Sequence, residues 1–205
     1  MIKNIIFDIG GVLLDYNPKT YLDKLNIQES KRNEVNKIIF KDQKWRDCLN
    51  GLIGQDELIE YLIKDNYLYK EEIKRILGKE NLKYMLPPKL DIIDYYNELK
   101  QKGYKLYILS NITETTYHYI KDNFNIIQNA DGEICSCFEG VSKPDEQIYI
   151  NLFNKYNIVP SESIFIDDTQ KNIEIGEKLK LNCIKFNDIE SLKEQVKSLE
   201  ENSNG

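Results

Sequence analysis

No apolar run in these 205 residues is long enough to cross a bilayer as a helix, so no membrane partner is expected. The first residues, Met1-Ile2-Lys3-Asn4, lead straight into a strand pattern and lack the apolar core of a signal peptide. A reducing cytoplasmic location is therefore expected. There is no excess of basic residues: 28 Lys and Arg face 34 Asp and Glu, a formal charge of −6. That argues against a nucleic-acid partner, and it means that an anionic ligand must be met by local cations or a metal. The four cysteines, Cys48, Cys135, Cys137 and Cys183, contain no C-x-x-C pair. Cys135-Ser136-Cys137 would share a face on a strand and could bind metal or pack. With no second pair nearby, ordinary reduced thiols are the simpler reading. The one histidine, His118, lies in a helical pattern and is read as structural or exposed. No internal repeat is present.

The length suits one large domain, or a core with an insertion, able to bury its own core without staples. Ile5-Ile6-Phe7, Leu106–Leu109, Ile164-Phe165-Ile166 and the weaker Cys183–Phe186 read as strands buried on both faces. Helical patterns lie between them. Pro88–Lys102 carries Leu90, Ile93, Tyr96 and Leu99 on one stripe and stops at Gly103. Pro144–Tyr156 begins with proline at the first helical position. Thr169–Leu181 and Ile189–Leu199 are also helical in pattern, and the polar tail after them is expected to be unstructured. Alternating strands and helices predict an α/β fold, a doubly wound, Rossmann-like parallel sheet. Residues 16–86 break the alternation. They hold helical patterns such as Glu34–Phe40 and Gln55–Ile63, a turn between Gly51 and Gly54, and no good strand. The expected organisation is an α/β core domain of residues 1–15 and 87–205, with an inserted helical cap domain of residues 16–86 over the sheet's C-terminal edge.

Ligands bind at that edge in open α/β sheets. Each strand end offers a polar group there: Asp8 after the first, Ser110 and Asn111 after the second, Asp167 and Asp168 after the third, with Lys143 before a helix start. In isolation each is an ordinary turn or cap residue; in this order they make a site. Crowded carboxylates repel, and a divalent cation resolves the repulsion. Oxygen ligands such as Asp8, Asp167 and Asp168 suit Mg²⁺. Ser110 offers a hydroxyl, and Lys143 a point charge, to a phosphate oxygen. An aspartate held against a metal-bound phosphoryl group can attack phosphorus and form an aspartyl-phosphate.

Four stretches carry a resemblance to a known family: Asp8-Ile-Gly-Gly-Val-Leu-Leu-Asp15, Ile108-Leu-Ser-Asn111, Ser142-Lys-Pro-Asp145 and Phe165-Ile-Asp-Asp-x-x-x-Asn-Ile173. Together they resemble the ordered motifs of the haloacid dehalogenase-like (HAD) hydrolase superfamily. Trp45 to Ile53 is a looser likeness to helical caps of its branch containing glucose-1-phosphate phosphatases and epoxide hydrolase N-terminal domains. The resemblance implies Asp8 as nucleophile and Mg²⁺ ligand, and the Gly10 carbonyl as a further metal contact. It implies Ser110 and Asn111 as phosphate-binding and Lys143 as the bridge between phosphate and nucleophile. Asp168 is implied as a direct metal ligand, and Asp167 as direct or through water. The implied partner is a small phosphorylated metabolite such as a sugar phosphate.

Family phosphatases carry an acid/base aspartate two residues after the nucleophile; here that residue is Gly10. Its carbonyl survives the change, but the proton donor does not, and positioned proton transfer is typically worth about 10²–10⁴-fold. Asp15 is a candidate replacement. The expected activity is Mg²⁺-dependent phosphomonoester hydrolysis. The alternatives are a phosphonatase, which requires a cap lysine; a dehalogenase, against which the intact Asp167-Asp168 pair argues; and a phosphate-binding pseudoenzyme. Lys44, Trp45, Arg46 and the cap tyrosines are the candidates for substrate contact.

Overall fold

In the computed structural model, which describes residues 1–204, the first apolar run becomes β1, Asn4–Phe7. The other strands are β2 (Lys105–Ser110), β3 (Gly132–Cys135), β4 (Ser163–Asp167) and β5 (Asn182–Lys185). Their order is β3-β2-β1-β4-β5, and every pairing is parallel. The chain therefore forms the expected α/β, Rossmann-like sheet. Phe7, the last residue of β1, pairs with Ile108 on one side and Ile166 on the other, so β2 runs on to Ser110 and β4 to Asp167 at the same edge. Strand order reverses at central β1, the switch point where such sheets open a crevice.

Period-two alternation splits the core between the two faces. Ile5, Phe7, Leu106, Ile108, Ile164 and Ile166 belong to one buried cluster; Ile6, Tyr107, Leu109 and Phe165 belong to the other. Helices cover both faces. Between β1 and β2 lie α1 (Pro18–Lys24), α2 (Glu29–Phe40), α3 (Gln43–Leu49), α4 (Gln55–Asp65), α5 (Lys70–Ile76), α6 (Leu82–Met85) and α7 (Leu90–Gln101). Then follow α8 (Glu114–Asn123), α9 (Ile126–Asn129), α10 (Ser136–Glu139), α11 (Glu146–Tyr156), α12 (Gln170–Lys178) and α13 (Ile189–Asn204). Ile148, Tyr149 and Leu152 of α11 and Ile173 of α12 pack on the Phe165 face. Helices α1 to α5 share a buried cluster with α7 and the Phe7 face. At Gly51, φ is +68°, and a Cβ would strike the Cys137 carbonyl, so this close approach seats the end of α3 against α10. Ser136 Oγ donates to the Leu49 carbonyl at 2.6 Å across the same contact.

Several details differ from the sequence pattern. β3 escapes it because this short edge strand offers only Ile134 and Cys135 as apolar signal. Helix α7 buries Ile92, Tyr95, Tyr96 and Leu99, whereas Leu90 at its start is exposed. Pro144 does not open α11. Asp145 is the N-cap, taking the Gln147 N–H at 2.9 Å, and the Lys143–Pro144 peptide is cis. Helix α13 continues through most of the polar tail to Asn204, while Gly205 lies outside the described residues. Cys135 ends β3 and Cys137 lies in α10, so the two do not share a strand, and both are buried free thiols.

Candidate active site

Asp8 follows the last residue of β1, its amide donating to the Ile166 carbonyl at 3.0 Å. The chain then turns sharply: Leu14 N–H returns to the Ile9 carbonyl at 2.9 Å, and Gly11 N–H reaches the Leu14 carbonyl at 2.8 Å. Gly11 has φ +81°, and a Cβ there would collide with the Asp168 carboxylate. Glycine is therefore needed at position 11 both for backbone conformation and for Asp168 to approach.

Asp8 Oδ1 accepts three donors: Ile9 N–H at 2.7 Å, Ser110 Oγ at 2.8 Å and Lys143 Nζ at 3.1 Å. Lys143, buried before α11, also donates to Asp167 Oδ2 at 2.6 Å and to the Leu109 carbonyl at 2.7 Å. Its ammonium thus spends all three protons on fixed acceptors. Asn111 locks this lysine in place. Its side chain takes the Lys143 N–H at 2.8 Å and returns an N–H to the Lys143 carbonyl at 2.8 Å. The Asn111 side-chain oxygen is therefore committed to the lysine loop.

Asp167 is fully buried and saturated. Oδ1 accepts Thr169 N–H at 2.8 Å and Asn172 Nδ2 at 2.9 Å, while Oδ2 holds Lys143. Asp168 is exposed, its Oδ1 taking only the Thr169 hydroxyl at 3.2 Å. One carboxylate oxygen from each of Asp8, Asp167 and Asp168 lies within 4.8 Å of the others, a spacing and donor set that fit a divalent cation. Burial raises the Asp8 pKa most, the Lys143 charge lowers it and Asp167 raises it, leaving it at about 6. Burial works against the Lys143 charge, but Asp8 and Asp167 outweigh it and hold the ammonium above its usual range.

Above this floor lies a cavity of about 270 Å³, walled by Tyr16, Trp45, Leu49, Met85 and Leu86 and reached by Gly10, Thr113 and Thr116. Of the predicted residues, Asp8, Gly10, Ser110, Asn111, Lys143 and Asp168 line it, whereas Asp167 sits behind them. Asp15 does not reach this cavity; its backbone N–H is tied to the Pro87 carbonyl at 2.8 Å, and the next side chain, Tyr16, enters instead. Lys44 pairs with Asp47, and neither it nor Arg46 lines the cavity. His118 is exposed on α8, 3.5 Å from Glu114. Asn172 is given no role by the sequence pattern, although it stands in the fourth motif. Its spacing from Asp167 puts it in the first turn of α12, within reach of that carboxylate.

The haloacid dehalogenase-like hydrolase family matches residues 2–179. The chain belongs to this family. This hydrolase is 28% identical over 171 residues to a sesquiterpene phosphatase of Aspergillus oryzae, covering 83% of each chain. It is 26% identical over 200 residues to a D-ribitol-5-phosphate phosphatase of Bacteroides thetaiotaomicron, covering 87% of this chain and 89% of that one. A HAD-like hydrolase from Porphyromonas gingivalis shares the fold with a TM-score of 0.78 and 23% identity, over 96% of this chain and 98% of that one. A HAD family enzyme of B. thetaiotaomicron, solved with magnesium and inorganic phosphate, superposes with a TM-score of 0.73 at 20% identity, over 90% and 93% of the two chains. No helix among the described residues is long and apolar enough to cross a membrane.

Proposed function

We propose that this hydrolase is a Mg²⁺-dependent phosphatase of small phosphomonoesters, with residues 16–86 acting as a cap over a core of residues 1–15 and 87–205. The observation that carries the reading is the buried Asp8–Lys143–Asp167 array beside exposed Asp168. Asp8 and Asp168 would hold the metal, with Asp168 the more open of them, Gly10 lining the same cavity and the hydrogen-bonded Asp167 behind them reaching the metal directly or through water. Magnesium bound there supplies positive charge against the carboxylates and the phosphoryl oxygens.

The protein's own groups do the rest. Asp8 attacks phosphorus, forming the aspartyl-phosphate as the ester oxygen departs, and water later cleaves that intermediate. Ser110 and Lys143 fix the Asp8 carboxylate. Lys143, already aligned by Asn111, faces the charge that builds on the phosphoryl group. Asp167, held by Asn172 and the Thr169 amide, keeps the lysine in place.

The cavity also points to a substrate class. Lys143 is its single lining cation among the described residues, and its protons are committed. Trp45, Leu49, Met85 and Leu86 offer apolar surface. This favours the monophosphate of an uncharged alcohol, a sugar-like or hydrocarbon one, over a bisphosphate or a carboxylated ester. The names of the two phosphatase relatives are in keeping with that class. A phosphonatase reading is disfavoured because no cap lysine among the described residues lines the cavity. The test is hydrolysis of p-nitrophenyl phosphate and a panel of alkyl monophosphates and bisphosphates, with and without Mg²⁺. Mg²⁺-dependent turnover that favours uncharged monophosphates is expected; turnover no greater than in the Asp8→Asn variant would refute the reading.

A further inference from the structure

Gly10 provides no proton for the leaving group, and the cavity contains one other side chain able to provide it. Four titratable side chains among the described residues line the cavity: Asp8, Tyr16, Lys143 and Asp168. Asp8 is the proposed nucleophile, and Asp168 stands with it in the acidic cluster. Lys143 spends its protons on the Leu109 carbonyl, Asp8 and Asp167. Asp15 and His118 do not line the cavity. That leaves Tyr16.

Its placement suits the role that a side chain at position 10 would otherwise fill. A Cβ built on Gly10 would have Tyr16 Cβ as its nearest neighbour, at 3.8 Å. The tyrosine therefore begins beside the place where an acidic side chain at position 10 would begin, and it enters the same cavity from the turn after Leu14. Tyr16 is exposed and lines the cavity, so it borders both the cavity and solvent.

We propose that the Tyr16 hydroxyl is the acid/base of this enzyme; the proposal rests on the phosphatase reading. As an Asp8 oxygen bonds to phosphorus, the bond from phosphorus to the ester oxygen breaks. Its electron pair stays on that oxygen, which takes the Tyr16 proton and leaves as the alcohol. Water then attacks the aspartyl-phosphate, the bond between Asp8 and phosphorus breaks, and a water proton returns to the tyrosinate. A phenol is fully protonated at neutral pH and is a much stronger acid than an alcohol, so the first transfer runs downhill.

The test compares leaving groups in the full-length enzyme with Mg²⁺. In the Tyr16→Phe variant, kcat/KM for the best alkyl monophosphate is expected to fall about 10²–10⁴-fold. The loss for p-nitrophenyl phosphate, whose leaving group departs without a proton, is expected to be at least about tenfold smaller on the same grounds. Mixing the variant with p-nitrophenyl phosphate should give a stoichiometric burst of nitrophenolate, because the phosphoenzyme then lacks its base. Adding Gly10→Asp to that variant should recover alkyl ester hydrolysis. Equal losses on both substrates, or no loss on the alkyl ester, would overturn the role of Tyr16 while leaving the phosphatase reading intact. Absence of turnover of either substrate by the parent enzyme would overturn both.

Discussion

On the floor of the cavity, Lys143 sits between Asp8 and Asp167; Ser110 donates to Asp8, Asn172 to Asp167, and Lys143 itself donates to the Leu109 carbonyl. The walls, apart from Tyr16, are by contrast Trp45, Leu49, Met85 and Leu86, side chains with no charge and little directional bonding. Trp45 is steadied by an edge-on contact with Phe40, ring centroids 5.1 Å apart. A floor of buried charge tolerates almost no change, because removing one member leaves the others unpaired in low dielectric. A wall of apolar surface tolerates substitution and can be retuned, because its interactions are additive and shape-based. The difference suits the proposed reading, in which the floor carries the chemistry and the walls select the substrate.

That contrast can be broken most sharply at Lys143. Lys143→Met leaves Asp8 and Asp167 facing each other, and a loss of about 3–5 kcal/mol in urea unfolding is expected. The same substitution should cost kcat roughly 10²–10³-fold, as for other groups aimed at developing charge. Next comes Gly11→Ala. The positive φ and the collision with Asp168 should displace that carboxylate and weaken Mg²⁺ binding about 10–100-fold by calorimetry. Trp45→Ala, in the wall, should raise KM for the preferred ester about tenfold, with kcat and unfolding nearly unchanged. A comparable drop in kcat at Trp45 and Lys143 would erase the distinction between floor and wall.

The smallest effect is one of pH. The Asp8 pKa is raised to about 6 by burial, outweighing the pull of Lys143. Because the folded value lies above the unfolded one, the stability Asp8 contributes is full below about pH 4 and is lost as pH rises through about 6. The proton and Mg²⁺ compete for the same carboxylate, so Mg²⁺ affinity should weaken as pH falls below about 6, with proton release on binding. Affinity that is flat across that range would show that Asp8 is not among the ligands.

The floor was legible in the sequence because Asp8 and Asp167 stand at strand ends and Lys143 just before a helix start. Asp8 after Ile5-Ile6-Phe7 and Asp167 after Ile164-Phe165-Ile166 are placed by local pattern, and parallel pairing brings them together. The walls were not legible. Trp45 stands beside Lys44 and Arg46, and only the packing of α3 decides which of the three enters the cavity. Tyr16 and Asp15 are likewise neighbours, and the tie of Asp15 N–H to the Pro87 carbonyl fixes the backbone just before them. The strand β3 was hidden by its shortness, and the true start of α11 by a proline whose neighbour Asp145 takes the cap.

Phosphorylation of Asp8 is the step on which the proposed chemistry depends. A crystal structure of the enzyme with Mg²⁺ and beryllofluoride tests it most directly. Beryllium is expected to bond to an Asp8 carboxylate oxygen, with the fluorides facing Ser110 and Lys143 and the open side toward Tyr16. Beryllofluoride absent from Asp8, or bound to another side chain while Mg²⁺ occupies the acidic cluster, would contradict it.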